Sequence, residues 1–425
     1  MNVAVIGLGY IGLPTAALLA RCGHRVYGFD VDVQVRERLL RGDVPGVEAP
    51  VRQAVYEALR SGRFHVVDRV AAANAYILCL PTPTRDGKPD LRFVEAAAAA
   101  TAAVAQPGSI IVVESTVPPG ATERIVERAL SGEGKSIDDF LVAHCPERVI
   151  PGAIMTELRA NARVVGGRTP RDGEAVRALY ASFCEGEISV TSTCVAEFVK
   201  VVENTYRDVN IAFANELAVF AEEVGLDVWE TIALANKHPR VNILQPGPGV
   251  GGHCIPVDPH FLSDANPVAT ELIQSARRVN DRMPYRVARR IAQLVGPIAG
   301  SKIALLGAAY KADVDDARES ATSRIDALLR DRGYVTAVYD PLVTRYHRPL
   351  CRSIGEAVSG ADALVLLTPH AAFRQIDPTE IAALMRRRRL IDTRKFFAVD
   401  EWQRRGFECY VLGRAFRPLA MNAVA

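Results

Sequence analysis

The fold of the amino-terminal part of the chain is decided by residues 2–30, which read NVAVIGLGYIGLPTAALLARCGHRVYGFD. A short apolar run at residues 2–6 leads into a glycine-rich turn, and a helix-like stretch follows at residues 13–22. A second apolar run at residues 26–29 ends at Asp30. The order strand, glycine turn, helix, strand and acidic residue is typical of the opening βαβ unit of a dinucleotide-binding domain.

The glycine turn has the spacing Gly-x-Gly-x-x-Gly, formed by Gly7, Gly9 and Gly12. The first glycine permits the tight turn, the second lets the backbone approach a pyrophosphate, and the third allows the helix to pack closely on the strand. Asp30 can bind both ribose hydroxyls and would repel a 2′-phosphate. The sequence therefore predicts NAD rather than NADP, and the alternative is a glycine turn with a structural role only.

Alternating strands and helices continue beyond this unit. Apolar runs at residues 75–80, 109–114 and 140–143 predict strands, and the Ala-rich residues 93–105 predict a helix. Strands separated by helices indicate a mostly parallel sheet.

The pattern changes to a helical one at residues 193–224. Apolar residues recur there at helical spacing, and Gly225 is the expected end of this long helix. Shorter helices are predicted at residues 228–235 and 269–295, on either side of a Pro/Gly-rich loop at residues 245–259.

Residues 302–307 begin a second α/β region. Its next predicted strand, residues 335–339, ends in Asp340, and further strands are predicted at residues 363–367 and 389–391. The turn after residue 306 lacks the three glycines, so it is a poor candidate for a pyrophosphate site of the first type. The sequence thus predicts an α/β protein with two Rossmann-like doubly wound domains joined by a long central helix and a helical middle domain. The expected domains are residues 1–192, 193–298 and 299–425.

The composition excludes several functional classes. With 49% hydrophobic and 24% charged residues the chain lies in the range of folded soluble proteins. The net charge is +2 and the basic residues are dispersed, so no overall field recruits nucleic acid or an anionic membrane. Residues 3–20 are uncharged but interrupted by glycines and Pro14, which argues against a membrane span. The basic run at residues 386–389 is expected to be a solvated helix end.

The cysteine and histidine spacings predict neither disulfides nor a metal site. The chain has eight cysteines and no Cys-x-x-Cys pair. His144-Cys145, His253-Cys254 and His260 do not have the spacing of zinc ligands, because adjacent residues in an extended chain point to opposite sides. We expect a reducing, cytoplasmic environment.

A second group of candidate residues lies at residues 247–258, which read GPGVGGHCIPVD. In such a glycine-rich loop, backbone N–H groups can lower the pKa of the Cys254 thiol, and Asp258 four residues later can handle protons. The thiol is therefore a candidate nucleophile. The alternative is a small buried cysteine like Cys79.

Lys200 and Asn204 are four residues apart on the long helix and share a face. Their spacing alone does not distinguish a role in the site from a solvated lysine and a tolerated helical asparagine. The same limit applies to residues 114–120, where a strand end runs into a turn, and to residues 145–148.

Taken together, the motifs resemble those of the UDP-glucose/GDP-mannose dehydrogenase family over essentially the whole chain. Six of them occur in the family's order: GLGYIGLP at the start, CLPTP at 79–83, ESTVPPGAT at 114–122, the helix with Lys200 and Asn204, GGHCIPVD at 251–258 and YKADVDDARES at 310–320. The resemblance implies oxidation of the C6 hydroxymethyl group of a nucleotide-linked hexose to a carboxylate. Two NAD⁺ and one cysteine would serve this reaction.

The resemblance also implies roles for individual residues. Cys254 would capture the C6 aldehyde as a thiohemiacetal, which the second hydride loss converts to a thioester. Lys200 and Asn204 would stabilise the oxyanion, and their ammonium and amide donors suit that charge. Asp258, Thr116 and Glu147 would position and activate the water that hydrolyses the thioester.

Further residues match cofactor- and substrate-binding positions of the family. Those implied to bind NAD are Gly7, Gly9, Tyr10, Ile11, Gly12, Asp30, Pro81, Thr82, Thr116 and Arg318. Those implied to bind the UDP-sugar are Glu147, Arg148, Lys200, Asn204, Arg240, Gly251 and Lys311. For Lys311 and Arg318 the alternative is surface pairing with Asp313, Asp315 and Asp316.

The substrate is less constrained than the reaction. Val257 stands where the glucose and mannose branches of the family have a lysine, and residues 238–242 and 143–148 resemble the branch that acts on UDP-N-acetyl-D-mannosamine. This implies oxidation to UDP-N-acetyl-D-mannosaminuronate for a surface polysaccharide. Pro256 keeps UDP-N-acetylglucosamine as an alternative, with UDP-glucose as a third.

Arg240 matches an arginine that reaches the sugar nucleotide from a neighbouring subunit, so a homodimer built on the central helices is implied. Two other classes remain open, a non-catalytic nucleotide-binding protein and a single-step dehydrogenase that needs no cysteine. The complete set of glycines together with Lys200, Asn204, Cys254 and Asp258 argues against both.

Overall fold

The computed structural model describes residues 1–44, 48–85, 87–149, 152–296 and 300–415. These residues form two units. Unit 1 comprises Met1–Glu203 and His260–Asn266, and unit 2 comprises Asn204–Pro259 and Pro267–Ala425.

Unit 1 is an α/β unit with one large sheet. Its elements in chain order are β1 (Asn2–Ile6), α1 (Gly12–Arg21), β2 (Arg25–Phe29), α2 (Val33–Leu40), α3 (Ala49–Arg60), β3 (Phe64–Val66), β4 (Ala75–Leu78), β5 (Thr84–Arg85), β6 (Lys88–Pro89), α4 (Arg92–Val104), β7 (Ile110–Val113), α5 (Ala121–Gly132), β8 (Leu141–His144), α6 (Ile154–Ala160), β9 (Arg163–Gly167), α7 (Pro170–Tyr180) and β10 (Ile188–Ser192).

The large sheet has the strand order β10-β9-β8-β7-β4-β1-β2-β3. Neighbouring strands are parallel except β8 and β9, which are antiparallel. Because β1, β4, β7 and β8 are parallel, their carboxyl ends meet at one edge of the sheet. The segments that follow them are therefore neighbours, and they carry the motifs at residues 7–12, 79–83, 114–122 and 145–148.

The sheet is buried on both faces. Val3 and Val5 of β1 pack in one apolar cluster together with α1 and α3, whereas Ala4 and Ile6 pack in another with α4 and α5. This alternation is the period of two expected of a strand, and helices cover both sides of such a parallel sheet.

Unit 2 contains the remaining helices and a second sheet. Its elements, together with the shared helices α8 and α10, are α8 (Thr193–Val224), α9 (Val228–Ala235), α10 (Asp258–Ala265), α11 (Glu271–Val295), β11 (Lys302–Leu306), α12 (Ala321–Asp331), β12 (Val335–Tyr339), α13 (Ile354–Val358), β13 (Ala363–Leu366), α14 (Pro378–Leu384), β14 (Arg389–Asp392), α15 (Val399–Arg404) and β15 (Glu408–Val411). The sheet order is β12-β11-β13-β14-β15, with every pair parallel.

The same hydrogen-bonding arrangement follows the first two strands of each sheet. In unit 1, Asp30 follows β2 and its Oδ2 accepts a hydrogen bond of 2.8 Å from the Leu8 amide. In unit 2, Asp340 follows β12 and its Oδ2 accepts from the amides of Ala308 and Ala309 at 2.7 and 3.0 Å. A carboxylate at the strand end thus holds the turn after the neighbouring strand in both units.

The predicted fold class is confirmed, with two parallel-sheet regions and a long helix at residues 193–224. One local expectation is only partly right. Residues 386–388 are exposed to solvent as expected, but the basic run is not a helix end, because α14 ends at Leu384 and Arg389 begins β14. Arg386 instead forms an ion pair with the nearly buried Asp362, which anchors this segment beside the sheet.

Candidate functional site

The glycine turn of unit 1 separates structural from functional glycines. Gly7 has a φ of +92°, and a Cβ there would lie 2.3 Å from the carbonyl oxygen of Cys79. A Cβ on Gly12 would lie 1.9 Å from the carbonyl oxygen of Gly7. A Cβ on Gly9 would meet no atom within 4 Å. The fold itself therefore requires Gly7 and Gly12, whereas the open space above Gly9 fits a pyrophosphate approaching the backbone.

Other predicted cofactor residues surround this turn. Asp30 uses one lone pair of Oδ2 for the Leu8 amide and one of Oδ1 for the Asp32 amide at 2.9 Å, which leaves acceptor capacity for ribose hydroxyls. Tyr10 is partly exposed and its hydroxyl donates to Glu48 at 3.1 Å, and Ile11 is half-buried at the start of α1. The residues present thus fit a bound NAD.

The segments after β4 and β7 are tied to each other and to α8. Pro81 and Thr82 follow β4, and the Leu80 amide donates to Ser115 Oγ at 2.7 Å. Thr116 is half-buried in the next segment. The amides of Gly120 and Thr122 both donate to the Glu197 carboxylate. Glu197 lies one helical turn before Lys200, so the Thr116 segment is held by the part of α8 that carries this lysine.

The segment after β8 contains two more predicted site residues. Glu147 accepts from the amide of Arg148 through Oε1 and from Arg163 Nη2 through Oε2 at 3.1 Å. Arg148 forms a two-pronged ion pair with Glu203 of α8, with distances of 3.1 and 2.8 Å. Burial lowers the pKa of His144 to about 3, and the charge of Lys200 lowers it further against a backbone hydrogen bond. Lys200 therefore lies near the carboxyl end of β8.

In unit 2 the loop that carries Cys254 is fixed to α8 at both ends. Asn215 Oδ1 accepts from the Gly247 amide at 2.8 Å, and Asn204 Nδ2 donates to Asp258 Oδ2 at 2.6 Å. Asn204 and Asp258 are both buried, whereas Cys254 is exposed. The Cys254 carbonyl accepts from the Asp258 amide at 2.9 Å, which forms a turn directly before α10. The predicted Lys200 and Asn204 pair thus consists of one residue in each unit.

The motif at residues 310–320 packs on the same loop. A Cβ on Gly252 would lie 2.8 Å from the Tyr310 ring, and one on Gly251 would lie 2.7 Å from the Glu319 carbonyl oxygen. The Gly252 amide donates to the Arg318 carbonyl at 3.3 Å. Burial raises the pKa of Tyr310, and nearby Asp316 and Cys254 raise it further. Two motifs far apart in sequence are therefore adjacent in unit 2.

The basic residues of this motif differ in their environment. Arg318 forms an ion pair of 2.6 Å with Asp316, which is the structural alternative considered for it. Lys311 is exposed. Arg240 is also exposed, in the segment after α9, and its amide donates to His238 Nδ1 at 3.3 Å.

One candidate residue was missed by the sequence analysis. The guanidinium of Arg394 lies where a side chain on Gly247 would be, 2.2 Å from an ideal Cβ. Burial lowers the pKa of Arg394 to about 10, against the charge of nearby Asp392. A cation next to the start of the Cys254 loop could have been suspected only from its place three residues after the predicted strand at residues 389–391.

Three family models cover most of the chain. The NAD-binding domain of the UDP-glucose/GDP-mannose dehydrogenase family matches residues 1–184, its central domain residues 194–282 and its UDP-binding domain residues 304–399. The chain belongs to this family. It is an NAD-dependent nucleotide-sugar dehydrogenase, so the predicted enzyme class and cofactor are confirmed. None of the helices in the described residues is long and apolar enough to cross a membrane.

Relatives match over nearly their full length. The UDP-N-acetyl-D-mannosamine dehydrogenase of Methanocaldococcus jannaschii is 42% identical, with 97% of this chain and 96% of the relative covered. The NDP-N-acetyl-D-galactosaminuronic acid dehydrogenase of Ralstonia nicotianae is 41% identical, with 92% and 95% covered. The solved structure of the UDP-D-ManNAc dehydrogenase from Pyrococcus horikoshii is 38% identical and has a TM-score of 0.92. The match covers 98% of this chain and 100% of that chain.

The contrast between Gly9 and Gly12 gives a test of the cofactor site. We expect Gly9→Ala to raise the Kd for NAD⁺ about tenfold or more, a loss of about 1.4 kcal/mol, because a methyl group would occupy the open space. Its free energy of unfolding should stay within about 1 kcal/mol of wild type. Gly12→Ala should instead lower that free energy by about 1–3 kcal/mol, because its Cβ has no room. Calorimetric NAD⁺ titration and chemical denaturation measure the two effects, and unchanged NAD⁺ affinity in Gly9→Ala would contradict the assignment.

Proposed function

We propose that the protein oxidises UDP-N-acetyl-D-mannosamine to UDP-N-acetyl-D-mannosaminuronate for a surface polysaccharide, with two NAD⁺ per sugar. The observation that carries the proposal is the similarity over 97% of the chain to a UDP-N-acetyl-D-mannosamine dehydrogenase. Support comes from the solved structure of another protein of that name, with a TM-score of 0.92. We place the reaction in the cytoplasm, where a cysteine nucleophile stays reduced.

Cys254 is the proposed nucleophile. NAD⁺ supplies the acceptor for each hydride that leaves C6. After the first oxidation the Cys254 thiolate adds to the C6 aldehyde, and the resulting thiohemiacetal keeps the half-oxidised sugar bound to the protein. Loss of the second hydride turns this adduct into a thioester. Lys200 donates to the oxyanion, and so does Asn204, whose amide nitrogen has two hydrogens of which the bond to Asp258 uses one.

Hydrolysis of the thioester completes the reaction. Glu147 accepts a proton from a water molecule positioned with Thr116 and Asp258, while the water oxygen bonds to C6. The C–S bond then breaks and its electron pair returns to Cys254. The products are a carboxylate, the regenerated cysteine and one proton.

The proposed binding residues follow the same division. NAD contacts Gly7, Gly9, Tyr10, Ile11, Gly12, Asp30, Pro81, Thr82, Thr116 and Arg318. The UDP-sugar contacts Glu147, Arg148, Lys200, Asn204, Arg240, Gly251 and Lys311.

The substrate proposal is tested by comparing sugars. A site with a polar partner for the acetamido group rejects the unsubstituted sugar, because that partner is then left without a hydrogen bond. We expect kcat/KM for UDP-N-acetyl-D-mannosamine to exceed that for UDP-glucose by about tenfold or more, and to exceed that for UDP-N-acetylglucosamine. Each sugar consumed should yield two NADH and a carboxylate, measured by absorbance and mass spectrometry. A preference for UDP-glucose would contradict the acetamido assignment, and one NADH with a released aldehyde would contradict the reaction.

We also propose a homodimer formed through α8. One stripe of this helix carries exposed apolar side chains at helical spacing, and these are Val195, Phe198, Val202, Tyr206, Phe213, Phe220 and Val224. The opposite face is buried and includes Asp208 and Asn215. An apolar stripe of this length on an exposed face is typical of an interaction surface. A second copy would also supply Arg240 to the neighbouring substrate site.

The dimer proposal predicts the effect of a charge on the stripe. We expect Phe213→Glu and Phe220→Glu each to convert the protein to monomers, because the new carboxylate would be buried in the interface. Phe93→Glu, at an exposed phenylalanine on α4, is the matched control and should leave the dimer intact. Sedimentation velocity measures both. A wild-type protein that is fully active as a monomer would contradict the proposal.

A further inference from the structure

The antiparallel strand β9 places an arginine beside Glu147. Ala143 pairs with Gly167 and His144 with Gly166, so extending this register by three residues brings Glu147 opposite Arg163. Arg163 is the first residue of β9, and its amino end lies at the sheet edge where the parallel strands have their carboxyl ends. The strand direction alone thus aims this arginine at the segment after β8.

The guanidinium of Arg163 is immobilised on several sides. Its side chain is 5% exposed, and Nη2 lies 3.1 Å from Glu147 Oε2 while Nη1 lies 3.7 Å from Glu114 Oε1. The rings of Tyr180 and Phe183 lie 4.9 and 5.4 Å from its central carbon. A buried cation between two carboxylates and two aromatic rings has little freedom to rotate.

The second carboxylate belongs to Glu114, whose side chain is fully buried. It accepts hydrogen bonds from Cys79 Sγ at 2.8 Å and from the Tyr180 hydroxyl at 3.0 Å. Burial raises the pKa of Glu114 to about 7, against the charge of Arg163 and with that of Glu147. Burial also raises the pKa of the nearby Cys145 thiol to about 12, so this thiol is neutral beside Arg163.

We propose that Arg163 is the positioning residue of the hydrolytic step, holding the Glu147 carboxylate oriented toward the attacking water. This inference rests on the proposed role of Glu147. Arg163 contacts neither the water nor the substrate and acts through Glu147 alone. Because Oε2 accepts from Arg163 and Oε1 from the Arg148 amide, the orientation of the carboxylate is fixed at both oxygens.

The step that Arg163 supports is proton removal from water during thioester hydrolysis. The water oxygen bonds to the acyl carbon, its proton passes to Glu147, and the C–S bond breaks with the electron pair going to Cys254. Both hydride transfers precede this step. Weakening the contact between Arg163 and Glu147 should therefore slow release of the acid without slowing the two reductions of NAD⁺.

The experiment compares Arg163→Lys, Glu147→Gln and the double variant in the full-length protein. Arg163→Lys retains the positive charge but loses the planar pair of donors. Rapid mixing with UDP-N-acetyl-D-mannosamine and excess NAD⁺ records the NADH burst, and intact mass of acid-quenched protein records the acyl adduct. Arg168→Lys, at the residue directly after β9, is the matched control, since Arg168 pairs with Asp138 away from Glu147.

We expect Arg163→Lys to lower kcat about tenfold or more while KM stays within about threefold, with a burst of two NADH per site and an accumulated acyl adduct. In the Glu147→Gln background the same change should slow hydrolysis no further, because a residue acting through Glu147 has nothing left to position. Additive losses in the double variant, or no acyl adduct in Arg163→Lys, would overturn the inference. If Glu147→Gln itself neither slows turnover nor accumulates adduct, the proposed role of Glu147 fails instead.

A second variant keeps the test independent of the stability of Arg163→Lys. Glu114→Gln leaves Arg163 and Glu147 in place but removes a carboxylate that holds the guanidinium, so fewer contacts fix the orientation of Arg163. The acyl adduct should then accumulate after a burst of two NADH per site, as expected for Arg163→Lys. Wild-type hydrolysis without an acyl adduct would show that this cluster does not govern Glu147.

Discussion

The hydrogen bond of 2.6 Å from Asn204 to Asp258 is the interaction on which the proposed chemistry depends most. It fixes the end of the Cys254 loop on α8, and it joins an amide donor to a carboxylate four residues after the proposed nucleophile. Both side chains are buried, so replacing either one removes a buried hydrogen bond to a carboxylate, at a cost of about 1.5–3 kcal/mol. The loop is therefore positioned by a contact that the helix cannot easily release.

The start of the same loop depends on a longer chain of buried polar groups. Asn215 accepts from the Gly247 amide and donates to Asn280 at 2.9 Å, and Asn280 donates to Asp208 at 2.8 Å. Arg277 forms an ion pair with Asp208, whose pKa burial raises against the charge of that arginine. Together these contacts connect α8, α11 and the start of the loop through buried polar groups. An exposed thiol on a fixed loop suits a nucleophile that must meet one carbon atom of the substrate.

The sequence was sufficient for elements with strong periodicity or a glycine signature. The helices at residues 193–224 and 228–235 and the strand at residues 335–339 have the predicted bounds, because the first two show long apolar spacing or a clear stop and the third a β-branched run ending at an aspartate. The segments at residues 7–12 and 114–120 were predicted to follow strands and do so, whereas the strand predicted at residues 75–80 ends at Leu78, so Cys79 lies in the segment after it. In contrast, β9 and β10 were not predicted. The first ends in two glycines and the second, ISVTS, is polar and lies at the edge of the sheet, so neither has a distinctive apolar run. The contact of Arg163 with Glu147 depends on the antiparallel register of β9, which no local pattern reveals.

The central claim is that Cys254 holds the half-oxidised sugar until it becomes an acid. The most direct measurement is the amount of carboxylate and NADH formed per UDP-N-acetyl-D-mannosamine by Cys254→Ala, with Cys22→Ala, which also replaces an exposed cysteine, as the matched control. We expect Cys22→Ala to yield two NADH and one carboxylate per sugar, as does the wild type, whereas Cys254→Ala should form no carboxylate. Undiminished carboxylate formation by Cys254→Ala would contradict it.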